Sequence, residues 1–265
     1  MDKMSRIKNE FGRLVNIMEK LRSNEGCPWD REQTHDSLRQ FLLEETYEVL
    51  ETIDEKNYDE LKFELGDLLL QVIFHAQIAK EERRFDIEDV LRGISDKLIH
   101  RHPNVFGDVE INSAEEQTVN WEKMKHKEGK KSVIDGVPRE LSALLRAHRI
   151  QSKAATVGFD WEAVQDVWSK VKEELAEFET AIKSKNQDEI EEEFGDILFT
   201  LVNLSRFINV NPEDAMRATT EKFIYRFKKV ENEIKKQGKQ MNEATLNELD
   251  AIWDQVKRRV NNKKL

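Results

Sequence analysis

An internal repeat that spans nearly the whole chain constrains the fold of this sequence more than any other feature. The segment EETYE followed by ELGD recurs as EELAE followed by EFGD, at an offset of 129 residues and without a gap. Because this period greatly exceeds that of solenoid repeats, it indicates a duplicated domain. Further matches pair GCPWD with GFDWE, EDVLRGISDKLIHR with EDAMRATTEKFIYR, and NWEKMK with IWDQVK.

Composition predicts that each copy is a helical bundle. The 265 residues include only ten Gly and four Pro, and strong helix formers dominate the remainder. Between the copies lies KHKEGKKSVIDGVP, whose charge, Gly and Pro content is typical of a linker. We therefore predict an all-α fold with two tandem homologous helical-bundle domains, residues 1–125 and 140–265, joined by a linker at 126–139.

Charge and cysteine content restrict the partners and the compartment. A formal net charge of -10 disfavours a broad nucleic-acid or anionic-membrane surface, because both require a basic patch. Cys27 is the single cysteine, so no internal disulfide is possible. The sequence has no apolar stretch of signal-peptide or membrane-spanning length. We expect a cytoplasmic protein with no nucleic-acid or membrane partner.

Carboxylates lie among apolar residues on two successive predicted helices of each copy. Glu45 and Glu48 share one face of the first helix, and Glu64 and Asp67 share one face of the second, which spans 61–79 and is apolar on nearly every side. Such a helix is expected to be buried, and converging ionised carboxylates lose hydration at a cost of several kcal/mol per ion unless cations compensate. The second copy repeats this quartet as Glu174, Glu177, Glu193 and Asp196.

Oxygen ligands without Cys, and without a His that recurs in both copies, favour Mg²⁺ or Mn²⁺ over Zn²⁺. His75 has Leu204 as its counterpart, so we interpret it as a core or edge histidine. The chain has Glu-x-x-Glu and Glu-x-x-Asp pairs, whereas carboxylate-bridged di-iron bundles have Glu-x-x-His pairs. The pattern therefore disfavours redox chemistry.

Basic and aromatic residues also recur. Lys97 with Arg101, and Lys222 with Arg226, are i, i+4 pairs suited to phosphate oxygens, although such pairs also serve helix solubility. A Trp near the end of each copy suits stacking on a nucleobase, although a Trp at helical spacing is more often part of a core. The two residues are Trp121 and Trp253.

A P-loop motif is absent, which excludes that class of nucleotide hydrolase.

The combination of E-x-x-E, E-x-x-D, GCPWD, K-x-x-x-R and a late Trp resembles the tandem-domain MazG nucleoside triphosphate pyrophosphohydrolases over nearly the full chain. This resemblance implies a homodimeric, Mg²⁺-dependent enzyme that converts an NTP or dNTP to the monophosphate and pyrophosphate, in nucleotide-pool housecleaning or stress control. It implies metal-binding and catalytic roles for Glu174, Glu177, Glu193 and Asp196, and substrate-binding roles for Lys222, Arg226 and Trp253. The matching metal and substrate positions of the first copy are Glu45, Glu48, Glu64, Asp67, Lys97, Arg101 and Trp121. Beside the acids, Lys170 and Glu173 are further candidates for substrate binding, and either Glu173 or Glu44 could act as the general base that orients the attacking water.

The copies differ next to the acids, since Lys170 of the second copy corresponds to Phe41 of the first. We therefore favour the second copy as the main active site. Two alternatives remain open. One is a non-catalytic helical regulator or scaffold with structural ions, and the other is a related all-α pyrophosphohydrolase acting on dUTP or phosphoribosyl-ATP.

Overall fold

The computed structural model describes residues 2–113, 116–117, 120 and 132–261, and Trp121 lies outside these ranges. Every regular element within them is helical, which confirms the all-α fold. Among the described helices, none combines the length and apolar character needed to cross a membrane. The chain divides into two compact units, Met1–Ile111 and Asn112–Leu265.

The first unit is built around two long helices joined by a three-residue turn. Its core contains Met18, Leu38, Ile73, Phe74 and Ile78, all at most 4% exposed. These residues come from the first and fourth helices and from the segment before the third, so α4 is the element on which the unit packs. The helices are α1 Lys3–Leu21, α2 Pro28–Glu32, α3 Arg39–Asp54, α4 Tyr58–Glu81, α5 Ile87–Arg101 and α6 Pro103–Phe106.

The second unit repeats the paired long helices and adds a terminal helix. One core cluster contains Val167, Val171 and Leu204, and another contains Val230, Ile234, Ile252 and Val256. The helices are α7 Ala143–Ala155, α8 Val164–Ser184, α9 Gln187–Phe207, α10 Pro212–Lys236 and α11 Leu246–Asn261, with a short 3₁₀ helix at Met241–Glu243.

The turn between the paired long helices has the same chemistry in both units. Lys56 and Lys185 adopt left-handed backbone angles, with φ of 57° and 61°, which ends the preceding helix. The next residue caps the following helix, because Asn57 accepts a hydrogen bond from the Glu60 amide and Asn186 accepts one from the Asp188 amide. These local signals fold each pair of helices back on itself, so that the acids of one helix reach those of the next.

The expectation that the helix over 61–79 is buried all round is wrong for its N-terminal half. On α4, Leu65, Leu69 and Val72 are 49%, 38% and 40% exposed, whereas the residues near its C-terminal end are buried. Apolar periodicity could not separate the two halves, because it reports hydrophobicity and not the partner that covers it. The equivalent residues of α9, namely Phe194, Leu198 and Leu201, are also exposed. We call the two sets the apolar stripes.

The domain boundaries stay a prediction. Part of the linker expected at 126–139 lies outside the described residues. Within its described part, the Val133 carbonyl accepts a hydrogen bond from Lys153 Nζ on α7 at 3.0 Å. This contact holds Val133 of that segment against α7.

Candidate metal centre

Three carboxylates converge in the second unit. Glu174 and Glu177 lie one turn apart on α8, and Glu193 lies on the adjacent α9, with one oxygen from each within 4.8 Å of the others. Glu174 is 5% exposed, Glu193 is half-buried and Glu177 is exposed to solvent. The group therefore opens to solvent at one side and is enclosed at the other.

Glu193 is the member of this group whose negative charge is poorly stabilised by its surroundings. Burial, followed by the negative charges of Glu177 and Glu174, raises the pKa of Glu193. Its Oε2 atom is buried and has no hydrogen-bond partner. A carboxylate oxygen that is both desolvated and surrounded by like charge is stabilised by a cation.

Lys170 places a positive charge beside Glu174 of this group. Its Nζ lies 2.7 Å from Glu173 and 2.9 Å from Glu174, one helical turn away on α8. Hydrogen bonds to these two carboxylates raise the pKa of Lys170. Lys170 and Glu173, both predicted to bind substrate, thus lie directly beside the acidic group.

The first unit contains the equivalent group without the lysine. Glu45, Glu48 and Glu64 again bring one oxygen each within 4.8 Å of the others. Burial, then the charge of Glu48, raises the pKa of both Glu45 and Glu64. Phe41, which replaces the lysine, packs edge-on against Trp29 with ring centroids 5.8 Å apart.

The fourth acid of each predicted quartet lies at the margin of its group. Asp67 and Asp196 are exposed and do not belong to the two sets of converging oxygens. Their charges still act on those sets, because Asp67 contributes to the raised pKa of Glu64 and Asp196 to that of Glu193. The quartets thus consist of a close trio and a neighbouring acid.

The chemistry of each trio fits a hard divalent cation. All donors are carboxylate oxygens, and no Cys or His belongs to either group among the described residues. Two oxygens on opposite sides of one Mg²⁺ are about 4.2 Å apart, twice the usual metal–oxygen distance. Small side-chain rotations bring atoms that lie within 4.8 Å to that spacing.

The basic and aromatic candidates lie on later helices. Lys222 and Lys97 are exposed, Arg101 is 8% exposed, and Arg226 is half-buried with its Nε atom buried and without a hydrogen-bond partner. Trp253 is half-buried, packs against the core cluster at the end of the second unit, and lies 5.2 Å from the Phe223 ring. Their predicted roles in substrate binding stay predictions.

His75 belongs to a separate contact. Its Nδ1 lies 2.8 Å from Nδ1 of His35, and the two rings stack with centroids 5.1 Å apart. Burial, followed by the proximity of His35, lowers the pKa of His75. In a hydrogen bond between two ring nitrogens, one nitrogen donates and the other accepts.

Comparison with known proteins identifies the family. The model of the MazG nucleotide pyrophosphohydrolase domain matches residues 33–106 and 163–231, one copy in each unit. A nucleoside triphosphate pyrophosphohydrolase/pyrophosphatase MazG of Thermotoga maritima is 53% identical over 93% of this chain and 95% of its own. A nucleoside triphosphate pyrophosphohydrolase of Escherichia coli strain K12 is 44% identical over 94% of this chain and 98% of its own.

A solved structure of a mazG-related protein from Thermotoga maritima is 30% identical, covers 43% of this chain and 98% of its own, and has a TM-score of 0.38. Each of the two segments that the family model matches contains one carboxylate trio. The chain therefore belongs to the MazG nucleotide pyrophosphohydrolase family.

Proposed function

We propose that this protein hydrolyses nucleoside triphosphates, NTP or dNTP, to the monophosphate and pyrophosphate, as part of nucleotide-pool control in the cytoplasm. The observation that carries the proposal is the trio Glu174, Glu177 and Glu193, with its unpartnered buried oxygen. The names of the relatives from Thermotoga maritima and Escherichia coli support the same reaction.

The trio is proposed to hold Mg²⁺, for which Mn²⁺ can substitute. Bound there, a divalent cation neutralises phosphate charge and lowers the pKa of a coordinated water. The protein's own residues supply the remaining functions. Lys222 and Arg226 bind phosphate oxygens as a point charge and a planar fork. Our candidate to accept a proton from the attacking water is Glu173, which precedes Glu174 of the trio and bonds to Lys170.

We assign the main active site to the second unit. There Lys170 bonds to Glu174, so a cation is available beside the position of the substrate phosphates. In the first unit the matching residue is Phe41, which packs against Trp29. A hydrophobic ring at this position removes a phosphate ligand while leaving the carboxylate trio in place.

Product analysis tests the reaction. Incubated with ATP and Mg²⁺, the protein is expected to release AMP and pyrophosphate in equal amounts, resolved by ion-exchange chromatography, and to be inactive after chelation with EDTA. Release of orthophosphate and ADP would overturn the proposed cleavage position. If no nucleotide is consumed and calorimetry detects no Mg²⁺-dependent nucleotide binding, the protein is a non-catalytic scaffold. A panel that includes dUTP and phosphoribosyl-ATP identifies the preferred substrate.

We further propose that the protein is a homodimer that covers the apolar stripes. Both stripes place three large apolar side chains at i, i+4 and i+7 on a helix face open to solvent. Contiguous exposed apolar surface of this kind is typical of protein–protein contacts. The repetition of the stripe on α4 and α9 makes both helices part of the proposed interface.

Light scattering coupled to gel filtration measures this assembly. The protein is expected to elute at about twice the chain mass of 31.2 kDa. Replacing both Leu198 and Leu201 with Glu places two charges within one stripe and should yield a folded monomer, because burying unpaired carboxylates is strongly unfavourable. The matched control replaces Asn232 and Lys235 with Glu, two exposed residues of α10 outside the stripes with the same i, i+3 spacing, and should stay dimeric. A monomeric wild-type protein would contradict the proposal.

A further inference from the structure

Lys170 forms an ion pair with one carboxylate of the second trio. Its Nζ lies 2.9 Å from Glu174 Oε1, and the two residues are one helical turn apart on α8. Glu174 is 5% exposed, so water does little to stabilise its charge. The ammonium group of Lys170 therefore neutralises a buried carboxylate that belongs to the proposed metal centre.

The first unit shows that a trio of this kind forms without the lysine. The three carboxylates of the first trio bring one oxygen each within the same 4.8 Å of the others. The residue that corresponds to Lys170 there is Phe41, whose ring packs edge-on against Trp29. Assembly of a trio therefore does not depend on a cation at this position of the helix.

The ammonium group of Lys170 and a divalent cation at the trio repel each other. If both contact Glu174 Oε1, at 2.9 Å and about 2.1 Å, they lie at most about 5 Å apart. Repulsion between a single and a double positive charge at that distance weakens metal binding about tenfold even at the dielectric constant of water. If Lys170 moves away instead, its ion pair with Glu174 is lost. Both arrangements oppose metal binding.

Substrate phosphates give Lys170 a different partner. Its side chain is 31% exposed and also bonds to Glu173 at 2.7 Å, so it can leave Glu174 and still stay beside the trio. A triphosphate carries several negative charges, and bonds between an ammonium group and phosphate oxygens are strong. When Lys170 binds phosphate, the carboxylate of Glu174 is available to the metal.

We propose that Lys170 couples metal binding to substrate binding in the second unit, by competing with the divalent cation for Glu174 until substrate phosphates engage it. The inference rests on the proposed function and adds a role for Lys170 beyond contact with phosphate. Because coupling between two ligands is reciprocal, the substrate raises the affinity for the metal, and the metal raises the affinity for the substrate.

Removal of the lysine is expected to strengthen metal binding in the absence of nucleotide. A background protein with Glu45→Gln and Glu64→Gln lacks two carboxylates of the first trio, so calorimetric titration with Mn²⁺ reports on the second trio. In this background, Lys170→Met should bind Mn²⁺ about tenfold more tightly, because the competing charge is gone. Weaker binding would show that Lys170 holds Glu174 in position for the metal, and this result would overturn the proposal.

Lys172→Met in the same background is the matched control. Lys172 is exposed and lies two residues before Glu174, on the other side of α8, so this variant makes the same change of charge away from the trio. Its affinity for Mn²⁺ should equal that of the background protein. A gain as large as that of Lys170→Met would attribute the effect to net charge and contradict competition at Glu174.

The substrate half of the coupling is measured with α,β-methylene-ATP, which cannot be cleaved at the proposed position. At a constant excess of Mg²⁺, Lys170→Met should bind this nucleotide about tenfold more weakly than the background protein, and Lys172→Met should bind it equally well. Unchanged binding in Lys170→Met would show that the lysine does not engage phosphate and would overturn the coupling.

The titrations also separate this inference from the proposed function. If neither the background protein nor Lys170→Met binds Mn²⁺, both the metal centre and the coupling are wrong. If both proteins bind Mn²⁺ with equal affinity, the metal centre stands and only the role of Lys170 is wrong.

Discussion

Replacing Glu193 with Gln is expected to lower kcat for ATP hydrolysis by about 10³-fold. The substitution keeps the size of the side chain and removes the charge from the desolvated oxygen of the trio. A cation held at this point stabilises charge in the transition state by several kcal/mol, and each 1.36 kcal/mol corresponds to a tenfold change in rate. Steady-state kinetics at saturating Mg²⁺ and ATP measure the loss.

The matched variant is Glu64→Gln, because Glu64 occupies the same position in the first unit. If the second unit is the main active site, this variant should retain at least about a third of the wild-type kcat, since it removes no ligand from that unit. Circular dichroism shows whether both variants are folded. Equal losses in the two variants would refute the assignment to the second unit and indicate that both trios support turnover.

Thermal stability should depend on metal and pH in a way that identifies the trios. The pKa values of Glu64 and Glu193 are raised in the folded protein above the ordinary value of 4.5. A group with a raised folded pKa stabilises the fold while protonated, and this contribution is lost as the pH rises through that folded pKa. Without metal, these carboxylates therefore lower Tm progressively above pH 4.5.

Mg²⁺ should reverse this loss at neutral pH. At 100 times its Kd, a ligand that binds only the folded state stabilises it by about 2.7 kcal/mol. At roughly 2–4 °C for each kcal/mol in a protein of this size, this raises Tm by roughly 5–11 °C. Scanning calorimetry from pH 4 to 8, with EDTA or Mg²⁺, measures the effect. The contribution of the trios is the difference in Tm between the wild-type protein and a Glu64→Gln, Glu193→Gln double variant under the same conditions.

The comparison with the double variant is necessary because other carboxylates change the stability with pH in the opposite direction. Bonds to Lys239 and Thr245 lower the pKa of Glu248 to about 2, and Arg22 and Gln77 hold that of Glu81 below its usual value. These groups stabilise the fold at high pH and lose that contribution in acid. They are unchanged in the double variant, so their effect cancels. A variant whose Tm responds to Mg²⁺ as the wild-type protein does would rule out the trios as the metal centres.

Much of the candidate site followed from comparing the two copies of the repeat. Positions such as Glu64 and Glu193 stood out because they stayed acidic while their neighbours changed. The same comparison could not show that Asp196 lies at the margin of the trio, because spacing along one helix does not measure the distance to another.

The sequence by itself determined the helical class, the duplication and the acidic helices. These properties depend on composition, on local turn residues such as Asn57 and Asn186, and on recurrence along the chain, all of which are encoded over short range. Only the tertiary structure decided which three carboxylates meet and which faces of α4 and α9 stay uncovered. Those features depend on how the surfaces of the helices pack against one another, which the spacing of residues along a single helix does not determine.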